Sequence, residues 1–395
     1  MKILNSRNII KFILTLINVL KIFIISFIKT NKKKSSKFIF FYFHVKAYQE
    51  NIIDLIDELN KHKNVYAYII YNSFTSDELN NKKNSLFIDF GYLRFIPLKK
   101  YLLSRINLLI SSYLIYVFLP KTKNIYISHD IYDAPMVNKK IEKKIFFSLS
   151  KLDYIFVSSD IVKKSLENSF KKYLKYKKKN IKVKVINTGY LKLDHVSRLL
   201  KKIKKEDSRF CVLIAPTYSK HYIKENLSLN LEAIINFLIK KKYRIIFRPH
   251  PLDLTIHGNN DLIKRIVSKF KAFENFKLDI SSSYIKSYAE SDILITDFSG
   301  TAYTYAFSKY SPVIFFSNNV KKNLSHDFKK LYYFKDRNKV GYVVNNLFTL
   351  EKKLLYIKKN NNIFHDKIKK LKTKRIQNYG NSVFKTKDSI IKLLV

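Results

Sequence analysis

The chain has 395 residues, of which 47% are hydrophobic, and this suits about two folded domains and excludes a wholly disordered protein. Lysine and arginine outnumber aspartate and glutamate by 76 to 30, and the formal net charge of +46 favours an anionic partner, although part of the excess matches the general enrichment in Lys, Asn, Ile, Phe and Tyr. The single cysteine, Cys211, excludes a disulfide framework and a cysteine-based metal site.

The first predicted element is an apolar segment at residues 12–28, followed by lysines at positions 29, 32, 33, 34 and 37. It is short for a membrane span and carries Lys21 near its middle, so a helix lying in the headgroup region competes with a spanning one. A core helix packed on the protein itself is a third possibility. Residues 1–36 are therefore predicted to associate with an anionic membrane surface, which places the protein at the cytoplasmic face of the cell membrane.

Strand and helix patterns alternate from Lys37 onward. The first series predicts strands at 38–44, 65–71, 124–128, 154–157 and 182–186, with helices at 51–61 and 98–113. A charged stretch at 197–208 follows this series and contains no proline. Residues 37–200 are thus predicted to form a first Rossmann-like domain.

A second series of the same kind fills the rest of the chain. It predicts strands at 210–215, 243–247, 276–280, 293–296, 313–316 and 342–344, with helices at 229–240, 262–270, 302–308 and 386–394. Residues 201–395 are predicted to form a second Rossmann-like domain with a closing C-terminal helix that could cross back to the first. The predicted fold is therefore α/β, with two Rossmann-like domains facing a cleft.

The string Arg248-Pro249-His250-Pro251 directly follows an apolar, β-prone run. The two prolines end the strand, so the imidazole of His250 is expected at the sheet edge, where ligands bind in open α/β sheets. Arg248 offers a fork of charge-assisted hydrogen bonds, and His250 can donate to phosphate oxygens. A structural turn alone would need neither side chain, so a phosphate-binding role is favoured.

A second string, Thr296-Asp297-Phe298-Ser299-Gly300-Thr301, joins a buried strand to a helix. Hydroxyl groups and free backbone amides at a helix N-terminus bind phosphate, and Gly300 permits close approach of a ligand. The alternative is an ordinary helix cap by Ser299 or Asp297. The two strings together favour a phosphate site that includes Asp297, Ser299, Gly300 and Thr301.

In the first domain, His129 stands at the end of the strand predicted at 124–128, with Asp130, Tyr132 and Asp133 after it. A lone histidine is more often structural than catalytic, but this position suits a catalytic base on the acceptor side. The remaining histidines lack metal-ligand spacing, so no metal is predicted. The chain also has no Walker loop and no GxGxxG motif, so neither ATP hydrolysis nor dinucleotide chemistry, and no cofactor, is predicted.

Several motifs in a fixed order carry a resemblance that spans roughly residues 124 to the C-terminus. They are Thr188-Gly189-Tyr190 with Asp194, Ala215-Pro216-Thr217-Tyr218, Arg248-Pro249-His250-Pro251, the run from Ser291 to Ser299, and Tyr379-Gly380-Asn381-Ser382. Together they resemble the CDP-glycerol glycerophosphotransferase family, whose enzymes build teichoic acids and related capsule polymers. The resemblance implies a GT-B fold with the nucleotide bound mainly by the second domain.

The resemblance also implies a reaction and a set of roles. A hydroxyl of a lipid-linked or polymeric acceptor, deprotonated by His129, would attack a CDP-alditol such as CDP-glycerol and release CMP. His250 would contact the donor pyrophosphate and act in catalysis, Ser299 would contact the phosphates, and Pro216 and Thr217 would lie in the donor site. The chain departs from the family's pattern at Asp130, Ser219, Gly300 and Thr304 and at residues 191–193.

Two other functions stay open from the sequence. The same fold could serve a nucleotide-sugar glycosyltransferase of capsule or lipopolysaccharide synthesis, in which the hydroxyl attacks a sugar carbon instead of phosphorus. A non-enzymatic, basic membrane-binding protein is supported by charge alone. Nucleic acid is not predicted as a partner, because the chain has no helix-turn-helix, zinc-finger or RNA-binding motif.

Overall fold

The computed structural model describes residues 6–43, 52–71, 85–93, 95–112, 119, 121–128, 131–132, 145–175, 182–219, 227–254, 260–317, 331–360 and 362–395. The chain divides into two compact units. Unit 1 is drawn from Met1–His129, Lys143–Leu191 and Asn378–Val395, and unit 2 from Asp130–Glu142 and Lys192–Gln377. Each unit is built on one parallel sheet, so the predicted α/β class is confirmed.

The sheet of unit 1 has seven strands in the order β3-β2-β1-β4-β5-β6-β7. The strands are β1 (Lys37–Phe43), β2 (Val65–Tyr71), β3 (Ser85–Phe87), β4 (Ile106–Ser111), β5 (Lys123–Ile127), β6 (Tyr154–Val157) and β7 (Lys184–Asn187). Strand β1 lies between β2 and β4 and is an uninterrupted apolar run from Phe38 onward, because both of its faces are buried.

The helices of unit 1 cover this sheet. Their bounds are Ser6–Lys32, Ile53–Asn60, Phe90–Leu93, Lys99–Leu102, Asp160–Lys175 and Ser382–Leu394, and the helix Leu191–Leu200 begins in this unit. The C-terminal helix buries Ile390 and Leu394 in the same core as Leu55 and Leu59. Lys123 of β5 also donates from Nζ to the carbonyl oxygen of Leu393 at 2.7 Å.

The helix predicted at residues 98–113 is wrong. The chain forms only the short helix Lys99–Leu102 there and then enters strand β4, which pairs with β1 and β5. A strand buried on both faces is an apolar run without alternation, and over so few residues it cannot be told from a buried helix. Strand β3 was also not predicted, because it is short.

The N-terminal helix is longer than the predicted segment and has two apolar faces, one buried and one exposed. Val19 and Ile22 are buried in a core with strands β1 and β4, whereas Ile13, Ile17 and Ile24 on the same helix are about half exposed. The stretch Asn8–Lys32 is long and apolar enough to cross a membrane, by length and composition only. Its most apolar window has a mean hydropathy of 2.2, and 22% of that window is buried. One apolar face is therefore covered by protein and another is not.

The sheet of unit 2 has six parallel strands in the order β10-β9-β8-β11-β12-β13. The strands are β8 (Cys211–Ile214), β9 (Arg244–Phe247), β10 (Phe276–Leu278), β11 (Ile293–Thr296), β12 (Val313–Phe316) and β13 (Gly341–Val344), all of which were predicted. The strand order reverses between β8 and β11. In an open α/β sheet this reversal creates a crevice beyond the carboxyl ends of the two strands.

Helices and turns connect these strands. The helices are Leu231–Lys240, Asn260–Phe270, Ile285–Glu290, Thr301–Lys309, Tyr332–Lys335, Arg337–Val340, Leu347–Lys359 and His365–Arg375, with 3₁₀ turns at Leu227–Leu229 and Pro251–Leu254. Gly341 begins β13 against β12, where an added Cβ atom would lie 1.7 Å from the carbonyl oxygen of Val313. Only glycine permits this approach of the two strands.

Candidate functional site

The carboxyl ends of β8, β9 and β11 lie at one edge of the unit 2 sheet, because all three strands run parallel. Pro216 and Thr217 follow β8, Arg248 and His250 follow β9, and the loop from Asp297 to Gly300 follows β11. The register pairs Ile214 with Ile295, so the loops after β8 and β11 leave the sheet side by side at the strand-order reversal. Folding thus brings together motifs that are far apart in the sequence.

Asp297 is the buried centre of this edge, with a relative exposure of 1%. Its carboxylate accepts hydrogen bonds from the backbone N–H groups of Thr217 at 2.9 Å, Leu227 at 2.9 Å and Phe298 at 2.8 Å. Burial raises the pKa of Asp297 above its ordinary value even though these three donors favour the charged form. The carboxylate therefore holds the loops that carry Thr217 and Ser299.

The turn at Ser299 and Gly300 leads into the helix Thr301–Lys309. The Ser299 carbonyl oxygen accepts from the Tyr333 hydroxyl at 3.1 Å and from the Ala302 N–H at 3.2 Å. In a trans peptide the N–H points opposite to the carbonyl, so the Gly300 N–H faces away from Tyr333. Within the described part of the chain, neither the Ser299 N–H nor the Gly300 N–H has an acceptor.

Two adjacent amide donors at a helix N-terminus are an arrangement suited to a phosphate group. Ser299 and Gly300 are half-buried, which leaves room for a ligand while limiting competition from water. The neighbouring hydroxyl of Thr301 lies 2.5 Å from the hydroxyl of Tyr288. Burial raises the pKa of Tyr288 to about 12, so its phenol stays protonated near neutral pH.

His250 is half-buried, and its ring lies 5.8 Å from the ring of Tyr218. Its Nδ1 atom accepts a hydrogen bond from the Leu252 N–H at 3.2 Å, and its carbonyl oxygen accepts from the Asp253 N–H at 2.8 Å. Because Nδ1 acts as an acceptor, the proton of the neutral ring is carried on Nε2. His250 can therefore offer Nε2–H as a donor to an anion.

Arg248 binds the loop that follows β10. One guanidinium nitrogen lies 2.6 Å from a carboxylate oxygen of Asp279, and the other lies 2.9 Å from the carbonyl oxygen of Ser281. Burial alone would raise the pKa of Asp279, but hydrogen bonds from Ser281 and Ser287 and the charge of Arg248 together lower it. Arg248 is predicted to contact phosphate, and in the structure it also holds the loop of Asp279 and Ser281 at this edge.

Arg248→Met is expected to lower the free energy of unfolding by about 3 kcal/mol at pH 7, because it leaves the buried carboxylate of Asp279 without its cation. The folded-state pKa of Asp279 lies below its unfolded value, so the stability it contributes is present above about pH 4 and is lost as the pH falls further. Urea unfolding at pH 7 and at acidic pH measures both effects.

The matched control is Arg265→Met, which removes an arginine whose side chain is 66% exposed and lies 3.6 Å from Glu232. Its loss is expected to be under about 0.5 kcal/mol at either pH. Equal losses for the two variants, or a loss at Arg248 that stays the same in acid, would contradict the assignment.

Ser219 and Thr304 are two of the positions at which the chain departs from the resembled family pattern, and the structure describes both. Ser219 donates from its backbone N–H to the buried Asp253 at 3.1 Å. Thr304 is fully buried inside its helix, and its hydroxyl has no partner among the described residues. The predicted base His129 and its neighbour Asp130 lie outside the described residues. No group of three or more histidine, cysteine, aspartate and glutamate side chains that could hold a metal is found in the described ranges.

Two residues that support the Asp297–Gly300 loop were missed from the sequence. Tyr333 lies with its hydroxyl 3.1 Å from the carbonyl oxygen of Ser299, and Arg337 donates from Nη2 to the carbonyl oxygen of Asp297 at 3.2 Å. Both follow in a stretch rich in aromatic and basic residues, whose pattern does not distinguish core from site. Nothing in the local sequence could have identified them.

A comparison with known protein families identifies the group to which this architecture belongs. The family described as CDP-Glycerol:Poly(glycerophosphate) glycerophosphotransferase matches residues 22–383, which is most of the chain. The chain belongs to this glycerophosphotransferase family. The match includes every loop of the site described above, and it confirms the resemblance drawn from the motifs.

One curated relative and several solved structures are also similar to this chain. The minor teichoic acid biosynthesis protein GgaB of Bacillus subtilis (strain 168) is 34% identical over 163 residues, which cover 41% of this chain and 16% of that protein. A structure of the wall teichoic acid polymerase TagF soaked with CDPG has a TM-score of 0.61 and 16% identity, covering 100% of this chain and 98% of that one.

The same architecture also occurs outside the glycerophosphotransferase family. The UDP-GlcNAc 2-epimerase from Neisseria meningitidis, solved with UDP-GlcNAc, has a TM-score of 0.60 and 14% identity, covering 90% of this chain and 100% of that one. At such identities the likeness concerns the fold alone. The family match therefore separates this chain from other proteins that share the architecture.

Proposed function

We propose that this protein transfers an alditol phosphate, with glycerol phosphate as the first choice, from a CDP-activated donor to a hydroxyl of a membrane-associated or polymeric acceptor. The transfer would release CMP during the synthesis of a teichoic-acid-like or capsular polymer of the cell surface. The observation that carries the proposal is the pair of amides at Ser299 and Gly300 that have no acceptor among the described residues, at the switch point of a sheet in a glycerophosphotransferase.

In the proposed reaction, the acceptor oxygen attacks the β-phosphorus of CDP-glycerol while His129 takes the acceptor proton. The bond between the β-phosphorus and the bridging oxygen breaks, and CMP leaves with the bonding electron pair. Amides of Ser299 and Gly300 and the Nε2–H of His250 would stabilise the charge that builds on the phosphates. Residues 201–395 would thus bind the donor, and residues 37–200 would provide the acceptor side.

The relatives support this choice of donor and product. TagF is a wall teichoic acid polymerase and was solved after soaking with CDPG, and GgaB acts in minor teichoic acid biosynthesis. The proposed site needs no bound cofactor, since the donor carries its own activated phosphate. These points favour CDP-glycerol over a nucleotide sugar.

The direct test incubates the purified full-length chain with CDP-glycerol, CDP-ribitol or UDP-N-acetylglucosamine and a lipid-linked glycerol phosphate acceptor. CMP release is expected with CDP-glycerol only when the acceptor is present, and UDP release is not expected. Release of UDP with transfer of the sugar would favour a glycosyltransferase. Acceptor-dependent CMP release from CDP-ribitol alone would keep the reaction class and change the alditol.

The proposed location is the surface of an anionic membrane, and the exposed face of unit 1 supports it. Ile13, Ile17 and Ile24 of the N-terminal helix are 46%, 52% and 54% exposed. The ring of Phe23 lies 5.4 Å from that of Tyr101 in the short helix Lys99–Leu102, and the residue before that helix, Leu98, is 75% exposed. Lysines and no acidic residues lie along the helix, so this face suits the boundary between anionic headgroups and acyl chains.

Replacing Ile13, Ile17 and Ile24 together by serine is expected to weaken binding to vesicles by about 100-fold or more, because each isoleucine adds roughly 1 kcal/mol or more when it enters the lipid. Co-sedimentation with vesicles that contain phosphatidylglycerol measures the effect. The control replaces Phe348 and Leu355, exposed apolar residues of unit 2, by serine and should leave binding unchanged. Equal binding by the triple variant and the wild type would refute this membrane face.

A further inference from the structure

Arg337 is a buried cation to which the proposed reaction assigns no role. Its residue exposure is 3%, and its one hydrogen-bond acceptor among the described residues is the carbonyl oxygen of Asp297, at 3.2 Å. Its Nε atom is buried and has no hydrogen-bond partner among the described residues. The guanidinium carbon lies 4.6–5.0 Å from the centroids of four aromatic rings, those of Phe334, Phe315, Phe298 and Tyr333.

No described carboxylate forms an ion pair with Arg337. The adjacent acid, Asp336, is fully buried and accepts instead from Arg375 at 2.7 and 3.1 Å, from Lys339 at 2.8 Å and from the Tyr132 hydroxyl at 2.7 Å. Burying a cation without a counter-ion is costly, and ring faces offset only part of that cost. A positive charge held in this way suits a site that receives an anion.

Arg337 and Tyr333 also fix the backbone of the Asp297–Gly300 loop. Arg337 donates to the carbonyl oxygen of Asp297. The Tyr333 hydroxyl donates to the carbonyl oxygen of Ser299 at 3.1 Å. Because the N–H of a trans peptide points opposite to its carbonyl, holding the Ser299 carbonyl turns the Gly300 N–H away from the aromatic cluster. Tyr333 therefore determines where the Gly300 N–H points, and Arg337 holds the same loop two peptides earlier.

We propose that Arg337 and Tyr333 are positioning residues for the diphosphate of the donor. Tyr333 orients the peptide that carries the Gly300 N–H, and Arg337 orients the Asp297–Phe298 peptide of the same loop and adds a fixed positive charge beneath the loop. This inference rests on the proposed function, since it takes the diphosphate as the anion that the loop receives. If Arg337 had a purely structural role, it would only pack within the aromatic core and would not affect the affinity for the diphosphate.

The test measures the Kd of CDP by calorimetry and of cytidine by ligand-observed NMR, on the full chain well below its Tm. Arg337→Met is expected to weaken CDP binding about tenfold or more and Tyr333→Phe about threefold, with cytidine changed less than about twofold. Arg337→Lys should recover part of the CDP affinity, because it keeps the charge but not the planar fork.

The matched control is Lys372→Met, which removes another buried cation of unit 2. Lys372 is 4% exposed, and its Nζ lies 3.1 Å from the hydroxyl of Tyr310, at the C-terminal end of the helix that the loop begins. CDP binding by this variant should match the wild type. If the control loses as much CDP affinity as Arg337→Met, the effect is general and the inference is wrong.

A folded Arg337→Met that binds CDP like the wild type, or that loses CDP and cytidine equally, would overturn the inference. If Arg337→Met does not fold, Tyr333→Phe and Arg337→Lys decide in the same way. Inorganic pyrophosphate is measured in parallel. A wild type that binds pyrophosphate but not CDP would overturn the proposed donor and leave the pyrophosphate series to judge the inference, whereas a wild type that binds neither overturns both.

Discussion

His129→Ala is expected to lower the turnover number for CDP-glycerol by about a thousandfold, since general base catalysis contributes about 10²–10⁴ in rate. Donor affinity should change less than about twofold, because the base is expected to act on the acceptor while the phosphates bind elsewhere. Steady-state CMP release gives the turnover number, and calorimetry gives the Kd of CDP-glycerol. This division between rate and binding is what distinguishes a base from a donor-binding residue.

His62→Ala is the control for this prediction, because His62 is exposed and its imidazole contacts only the carbonyl oxygen of Lys63 among the described residues. Its turnover should equal that of the wild type. The His129 variant should also lose the acidic limb of the pH profile of turnover, because the neutral imidazole is the active form. A His129→Ala enzyme with normal turnover would show that another group removes the acceptor proton.

Asp297→Ala is expected to lower the free energy of unfolding by about 3–5 kcal/mol, since it leaves three buried backbone N–H groups without an acceptor. The donors belong to Thr217, Leu227 and Phe298, so loops after β8 and β11 would both lose their anchor. CDP affinity should fall as well, because the Ser299–Gly300 amides would no longer be held in place. Urea unfolding and calorimetry measure the two losses.

Asp297→Asn keeps the shape and one acceptor oxygen, so its loss should be smaller. Burial raises the pKa of Asp297, so the folded state holds this proton more tightly than the unfolded state, and wild-type stability rises as the pH falls through that pKa and levels off below about pH 4. The asparagine variant lacks this rise. Asp366→Ala, whose side chain is 87% exposed, is the control and should change stability by less than about 0.5 kcal/mol. Losses equal to the control would contradict the role given to Asp297.

The strands of unit 2 were predictable because each is a short apolar run with a proline, aspartate, serine or asparagine within two positions of its end. Strand β4 was not, because its run lies in the middle of a sheet and shows no alternation. The helix-forming residues just before it extended the wrong pattern. Local sequence therefore located the ends of strands better than the type of a fully buried element.

The site was predictable to the level of its loops and not of its hydrogen bonds. The residues Ser299 and Gly300 stand at a strand-to-helix turn that the sequence marks clearly. The partners of Asp297 are 70 and 80 positions away, and Arg337 lies 40 positions further along. Such contacts depend on strand order, which no local pattern encodes.

Transfer of glycerol phosphate to a hydroxyl group is tested most directly by ³¹P NMR of the complete reaction. With wild-type protein, CDP-glycerol and acceptor, the signals of the diphosphate should disappear while CMP and a new phosphodiester appear in equal amounts. Formation of CMP with free glycerol phosphate and no phosphodiester would contradict the claim, as would a diphosphate that stays intact.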